Sequence, residues 1–192
     1  MRWSKSRPER FHRGARAFAA CALATLLAAC GVLAPPGSLG VRSAQLYPSA
    51  GGATLELGLD CRLSGPMQDA LDHGIPITLA IDVRAGDWPR TRARATPTIE
   101  LRYFPLSRRY QLRHGDSDDV RSFATQAYLL SALGSLRLDL PAGFARLAAG
   151  TPLHVRAAID PTALPGALRL PALFEPAWRL ASADTTWPAA AR

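Results

Sequence analysis

The sequence is poor in cysteine and in aromatic residues, and its leading apolar run is too short to span a bilayer. Three cysteines occur in 192 residues, at positions 21, 30 and 61, and aromatic residues make up 7%. That usage offers no paired-cysteine metal site. His73, His114 and His154 stand far apart with no HExxH spacing, so they read as surface or structural histidines rather than ligands. The short glycine-rich pieces lack the strand–GxGxxG–helix context of a nucleotide loop. Ser122 and Ser131 have no glycine elbow beside them, which argues against a serine hydrolase. No catalytic residue, metal or cofactor is therefore expected.

What is present describes a globular, exported chain. With 48% hydrophobic and 20% charged residues, the composition is not that of a disordered protein. The formal charge of +8 suggests a nucleic-acid binder until it is divided along the chain. The first 29 residues hold six basic side chains against Glu9, a net +5, which leaves only +3 for the remainder. Nucleic acid is not expected as a partner.

The leader has the parts of an export signal. A basic region ends at Arg16, and residues 17–29 form an apolar run. As a helix it would reach about 20 Å, against a bilayer core of ~30 Å, so it reads as a signal peptide core. The run closes on Leu27-Ala28-Ala29-Cys30-Gly31, which resembles the lipobox of bacterial lipoproteins. The resemblance implies cleavage before Cys30 and a lipid on its thiol. Gly31 is not the aspartate associated with inner-membrane retention, so the outer membrane is the implied address. A plain signal peptide with an incidental Cys30, or an uncleaved anchor, are the alternatives. The organisation expected is a signal peptide over 1–29, a lipidated tether over 30–40, one β-rich domain over 41–187, and a tail over 188–192.

The chain beyond the tether is organised around residues 67–83, MQDALDHGIPITLAIDV. Pro66 suits a first helical turn, and Gly74 suits the position just past a helix end. Met67, Ala70 and Leu71 then share one small apolar face. Pro76 blocks any return to helix, and Ile77, Leu79, Ile81 and Val83 alternate with polar or small residues, as in a half-buried strand. Further strands are read over 41–47, 53–61, 98–104, 109–113, 136–140 and 153–159, with a last short one near 178–182. Cys61 falls in phase with Leu55, Leu57 and Leu59 and reads as a small buried hydrophobe. A second helix is expected over 120–133, capped by Asp118 or Asp119, with Phe123, Ala127, Leu130 and Leu133 inward. Residues 141–150 have room for one helical turn, and Pro161, Pro165, Pro171 and Pro176 are read as breakers. The fold class expected is mainly β: an antiparallel sandwich or curled sheet of about seven strands with two short helices.

Several spaced residues also carry a resemblance. Ala70-Leu71 before Gly74-Ile75-Pro76-Ile77, Tyr103 and Leu106 before Arg109-Tyr110, and Phe123 before Ala132-Leu133 recur in order. Leu164-Pro165, then Trp178 with Leu180 and Ser182, follow them. Together they resemble the proteobacterial family called domain of unknown function 4390, over residues 41–187. The resemblance implies a small exported protein and supplies no catalytic residues. Many members lack a lipobox, so lipidation rests on Cys30 in this chain.

One stretch has chemical direction. Residues 84–94, RAGDWPRTRAR, set Arg84, Arg90, Arg92 and Arg94 around Trp88. If 90–94 is a strand, three arginines share a face that could grip phosphate or carboxylate groups while the indole rests at an interface. The plainer reading is an edge strand whose charges discourage sheet-to-sheet pairing. His114 with Asp116, Asp118 and Asp119 lacks the EF-hand spacing and reads as a capping loop. The function expected is a non-enzymatic envelope module, held to a membrane through Cys30, that binds an anionic lipid, a glycan or an envelope protein. The alternatives are an envelope hydrolase or transferase, with Asp82, Glu100 and His154 as its candidates, and a purely structural lipoprotein.

Overall fold

Alternation in the strands decides the architecture. In β3 (Ile77–Ala85) every odd-numbered residue is buried and every even-numbered one is partly exposed. Such a strand needs apolar cover on one face only, and a second sheet supplies it. The structure, a computed structural model, describes residues 36–49, 51–87, 89–115 and 119–189. Cys30 and Trp88 lie outside the described residues, as do Asp116 and Asp118.

Two antiparallel sheets share one core. The smaller sheet has the order β1-β2-β8, from β1 (Ser38–Ser49), β2 (Gly52–Arg62) and β8 (Leu136–Leu140). The larger has the order β10-β9-β3-β5-β6-β7, from β5 (Thr98–Phe104), β6 (Arg109–His114), β7 (Val120–Phe123), β9 (Pro152–Ile159) and β10 (Thr185–Pro188). The short β4 (Ala93–Ala95) pairs with the last residues of β3, beyond the point where β5 has ended. Leu55, Leu57 and Leu59 of the small sheet join Leu79, Ile81, Ile99, Leu101 and Val155 of the large one in a single cluster. The mainly β, antiparallel class expected from the sequence is the class observed, with more strands than the seven expected.

α1 (Gly65–Asp72) buries Met67, Ala70 and Leu71, the face read from their spacing. Gly74 takes a φ of 79° just beyond it. Cys61 is half-buried against the core, and the short helical turn expected after Pro141 is α3 (Ala142–Ala145).

Other boundaries differ from the sequence reading. β1 begins at Ser38, inside the segment read as tether, because Leu39 is buried and the chain before it is already packed. A Cβ on Gly37 would stand 2.7 Å from Leu180 Cδ1 and 2.8 Å from the Ser64 nitrogen. The expected helix over 120–133 is two elements. Val120–Phe123 is the strand β7, drawn off by the free edge of β6, and the helix is confined to Gln126–Ala132 (α2) and the 3₁₀ turn Leu133–Ser135 that continues it. Its cap is Thr125, whose hydroxyl accepts from the Tyr128 N–H at 3.3 Å, and neither aspartate is the cap. Leu133 is buried as expected, and Phe123 and Leu130 pack half-buried against the core, but Ala127 is exposed and the fully buried helical residues are Leu129 and Ala132. α4 (Gly166–Phe174) runs through Pro171, read as a breaker; an interior proline costs a helix about 3 kcal/mol, and burial of Ala172 in the core helps offset it. Near 178–182 there is a 3₁₀ turn (Pro176–Trp178) and one bridge at Ala181, and the last strand is β10 instead. Ser182 explains the shift: its hydroxyl accepts from the Ala157 N–H at 3.0 Å, taking a ladder bond with its side chain.

Candidate functional site

The arginine-rich stretch leaves β3 at Ala85 and must return at once to pair as β4. Gly86 makes that reversal, with a φ of 91° and its N–H donated to Pro152 O at 2.8 Å. A Cβ there would fall 2.7 Å from Arg90 O, so a side chain is excluded by space as well as by conformation. The Arg90 N–H donates to Asp87 O at 2.7 Å, and the Arg92 N–H to Ala85 O at 2.8 Å. These bonds hold residues 86–92 as a tight loop. Of Arg90, Arg92 and Arg94 only Arg94 is in a strand, so the three do not form the common strand face expected of them.

The four arginines divide into two pairs. Arg84, on the outer face of β3, has its Nε 3.3 Å from Asp82 Oδ2 and also donates to the Asp184 carboxylate. Arg94 donates from Nε to Asp82 Oδ1 at 3.0 Å. Both are neutralised within the fold. Arg90 and Arg92 are exposed, with no carboxylate partner among the described residues. They line a groove of about 680 Å³ between the 86–92 loop and residues 148–152. The far wall is fixed by Thr151, whose Oγ1 donates to Ala148 O at 2.7 Å, and by Ala189, bonded to Thr151 O at 2.9 Å. Asp87 lies on the rim, its Oδ1 3.6 Å from His154 Nε2, an ion pair when the imidazole is protonated.

The sheet does not gather Asp82, Glu100 and His154 into one site. Asp82 is engaged by two arginines, and His154 contacts Thr186 Oγ1 at 3.2 Å and Asp87. Glu100 lies on β5 opposite Thr78, paired with Arg113 at 2.9 Å. His114 faces Asp119 at 3.4 Å, and His73 contacts Asp69 O at 2.6 Å. Among the described residues no group of three His, Cys, Asp or Glu side chains is placed to hold a metal ion. Burial, with Asp60 nearby, pushes the Cys61 thiol up to about 12, away from a reactive thiolate. The sequence reading missed Asp184, which clamps Arg84 from 100 residues away, and the wall at Thr151. No local pattern marks either residue.

The fold is a two-sheet antiparallel β-sandwich with a basic groove at one end of its larger sheet. The chain belongs to the family described as Domain of unknown function (DUF4390), whose profile matches residues 37–188. No curated protein and no solved structure matches it.

Proposed function

We propose that this protein is a non-enzymatic binding module of the bacterial cell envelope, tethered to a membrane and taking anionic groups in the Arg90–Arg92 groove. One observation carries the binding half of the reading. Two arginines stand exposed in a walled groove, free of the carboxylates that neutralise Arg84 and Arg94. A guanidinium offers forked donors to phosphate or carboxylate oxygens, and a tight loop presents them with little freedom to lose on binding. The ligand class is an acidic envelope protein or an anionic glycan. The groove wall is backbone and small side chains, which suits a polar chain more than an acyl chain.

The binding test is a pull-down from envelope extract with wild type, Arg90/Arg92→Ala and Arg94→Ala, at low and high salt. Wild type and Arg94→Ala retain the partner; the double variant and high salt lose it, because such contacts are screened over about 10 Å at 0.1 M. The same partners on all three proteins would remove the groove as the site. The envelope half rests on the leader and on the cysteine of Leu27-Ala28-Ala29-Cys30. Intact mass of membrane-extracted protein should show a lipidated chain starting at Cys30. A membrane fraction unchanged by Cys30→Ala would refute that anchor.

A further inference from the structure

The other end of β3 carries apolar side chains that the fold leaves in solvent. The groove lies beyond Ala85, whereas α1 lies beyond Ile77. Ser64, just before α1, donates from Oγ to Ala177 O at 2.7 Å, and Asp72 at its far end accepts from Tyr110 Oη at 2.7 Å. α1 thus links the Pro176–Trp178 turn and α4 to the β5–β6 hairpin on one end of the sandwich. At the hairpin tip Leu106 is wholly exposed. On α4, Leu170, Leu173 and Phe174 form a stripe at i, i+3, i+4, and are 66%, 52% and 74% exposed. One exposed leucine is ordinary; a helical stripe with an exposed hairpin leucine at the same end marks a contact surface.

Arginines adjoin each apolar element. Arg108 holds a φ of 52°, a left-handed conformation that glycine would adopt at less cost, and keeps a cation two residues from Leu106. Arg109 and Arg169 are exposed, and Arg179 donates to Leu173 O. Asp69, Asp72, Asp160 and Glu175 lie at this end too, so its net charge is small.

The chain enters the domain here as well. Ser38 pairs with Arg62, and Gly37 is packed against Leu180 and Ser64. The seven steps from Cys30 to Gly37 reach at most about 25 Å when fully extended. We infer that this end rests on a phospholipid surface, with Leu170, Leu173, Phe174 and Leu106 entering the headgroup boundary and the neighbouring arginines meeting lipid phosphates. Apolar insertion carries the contact, and salt weakens it only in part. The orientation, with the Arg90–Arg92 groove facing away from the bilayer, rests on the proposed anchor at Cys30. The surface itself does not.

The test uses residues 36–192, which hold the whole core among the described residues, so no lipid anchor contributes. Flotation with vesicles of phosphatidylethanolamine and phosphatidylglycerol should carry wild type upward. Leu170→Glu with Phe174→Glu should cut the bound fraction about tenfold, and Leu106→Glu about threefold, while Arg90/Arg92→Ala floats like wild type. The substituted side chains are exposed, so melting should be unchanged; if the double variant melts early, Leu170→Gln with Phe174→Gln replaces it. A wild type that stays with the soluble fraction, or a double variant that floats equally, overturns the proposal. So does a wild-type dimer in sedimentation velocity that the double variant dissociates, since the stripe then covers a second copy. Loss of the groove's partner in the pull-down leaves this result untouched, and the reverse also holds.

Discussion

Arg94 Nε and Asp82 Oδ1 meet at 3.0 Å across the β3–β4 hairpin, and Arg84 approaches the other oxygen of the same carboxylate at 3.3 Å. Asp82, together with Asp184 at Arg84, thereby removes two of the four arginines in the basic stretch from any role as free cations. The groove's charge comes from the two that the hairpin leaves outside the sheet.

That pair should matter little to stability. Arg94 is 64% exposed, and exposed ion pairs contribute at most about 1 kcal/mol. Arg94→Ala should lower the melting temperature by no more than about 4 °C in calorimetry. A fall of ten degrees or more would mean that the hairpin depends on this contact.

Ile81 stands at the centre of β3 with no exposure, in a core cluster drawn from both sheets. Ile81→Asp buries a charge without a partner and should cost several kcal/mol, leaving little folded protein by circular dichroism. Ile81→Val should cost only about 1 kcal/mol. Equal melting of Ile81→Asp and wild type would place this side chain outside the core.

Cys61 gives a pH prediction. Burial holds the thiol up at about 12, against 9.0 in the open chain, so folding favours the protonated form. The stabilisation is complete below about pH 9 and is lost as pH rises towards 12, because the unfolded chain then binds fewer protons. Iodoacetamide at pH 8 should label Cys61 slowly in native protein and quickly in denaturant, read by peptide mass. Equal rates in both states would show an open thiol.

Gly86 should be felt in binding. Its φ of 91° and the 2.7 Å gap to Arg90 O mean that Gly86→Ala must shift the 86–92 loop. The cost to folding should be about 1–2 kcal/mol, measured by urea titration. Retention of the groove's partner should fall with it, whereas Gly166→Ala, at a glycine with open space around it, should change neither. Full retention by Gly86→Ala would show that the loop geometry is not what presents Arg90 and Arg92.

What the sequence by itself determined is the local periodicity. Strict alternation in β2, β3, β8 and β9 requires one dry face and one wet face, whatever the strand pairs with. Met67, Ala70 and Leu71 bound α1 to a helical face in the same way, and Pro66 with Gly74 framed it. The tertiary structure decided the rest. Val120–Phe123 is a strand because β6 offers it an open edge, which no helical spacing can report. Arg90 and Arg92 became loop residues because β4 must double back onto β3 within a few positions of Gly86. Which arginines stayed free depended on Asp184, 100 residues beyond Arg84 in the chain, and a pairing over that separation leaves no local signature. Sequence pattern records which face of an element is dry; only packing decides which charges meet.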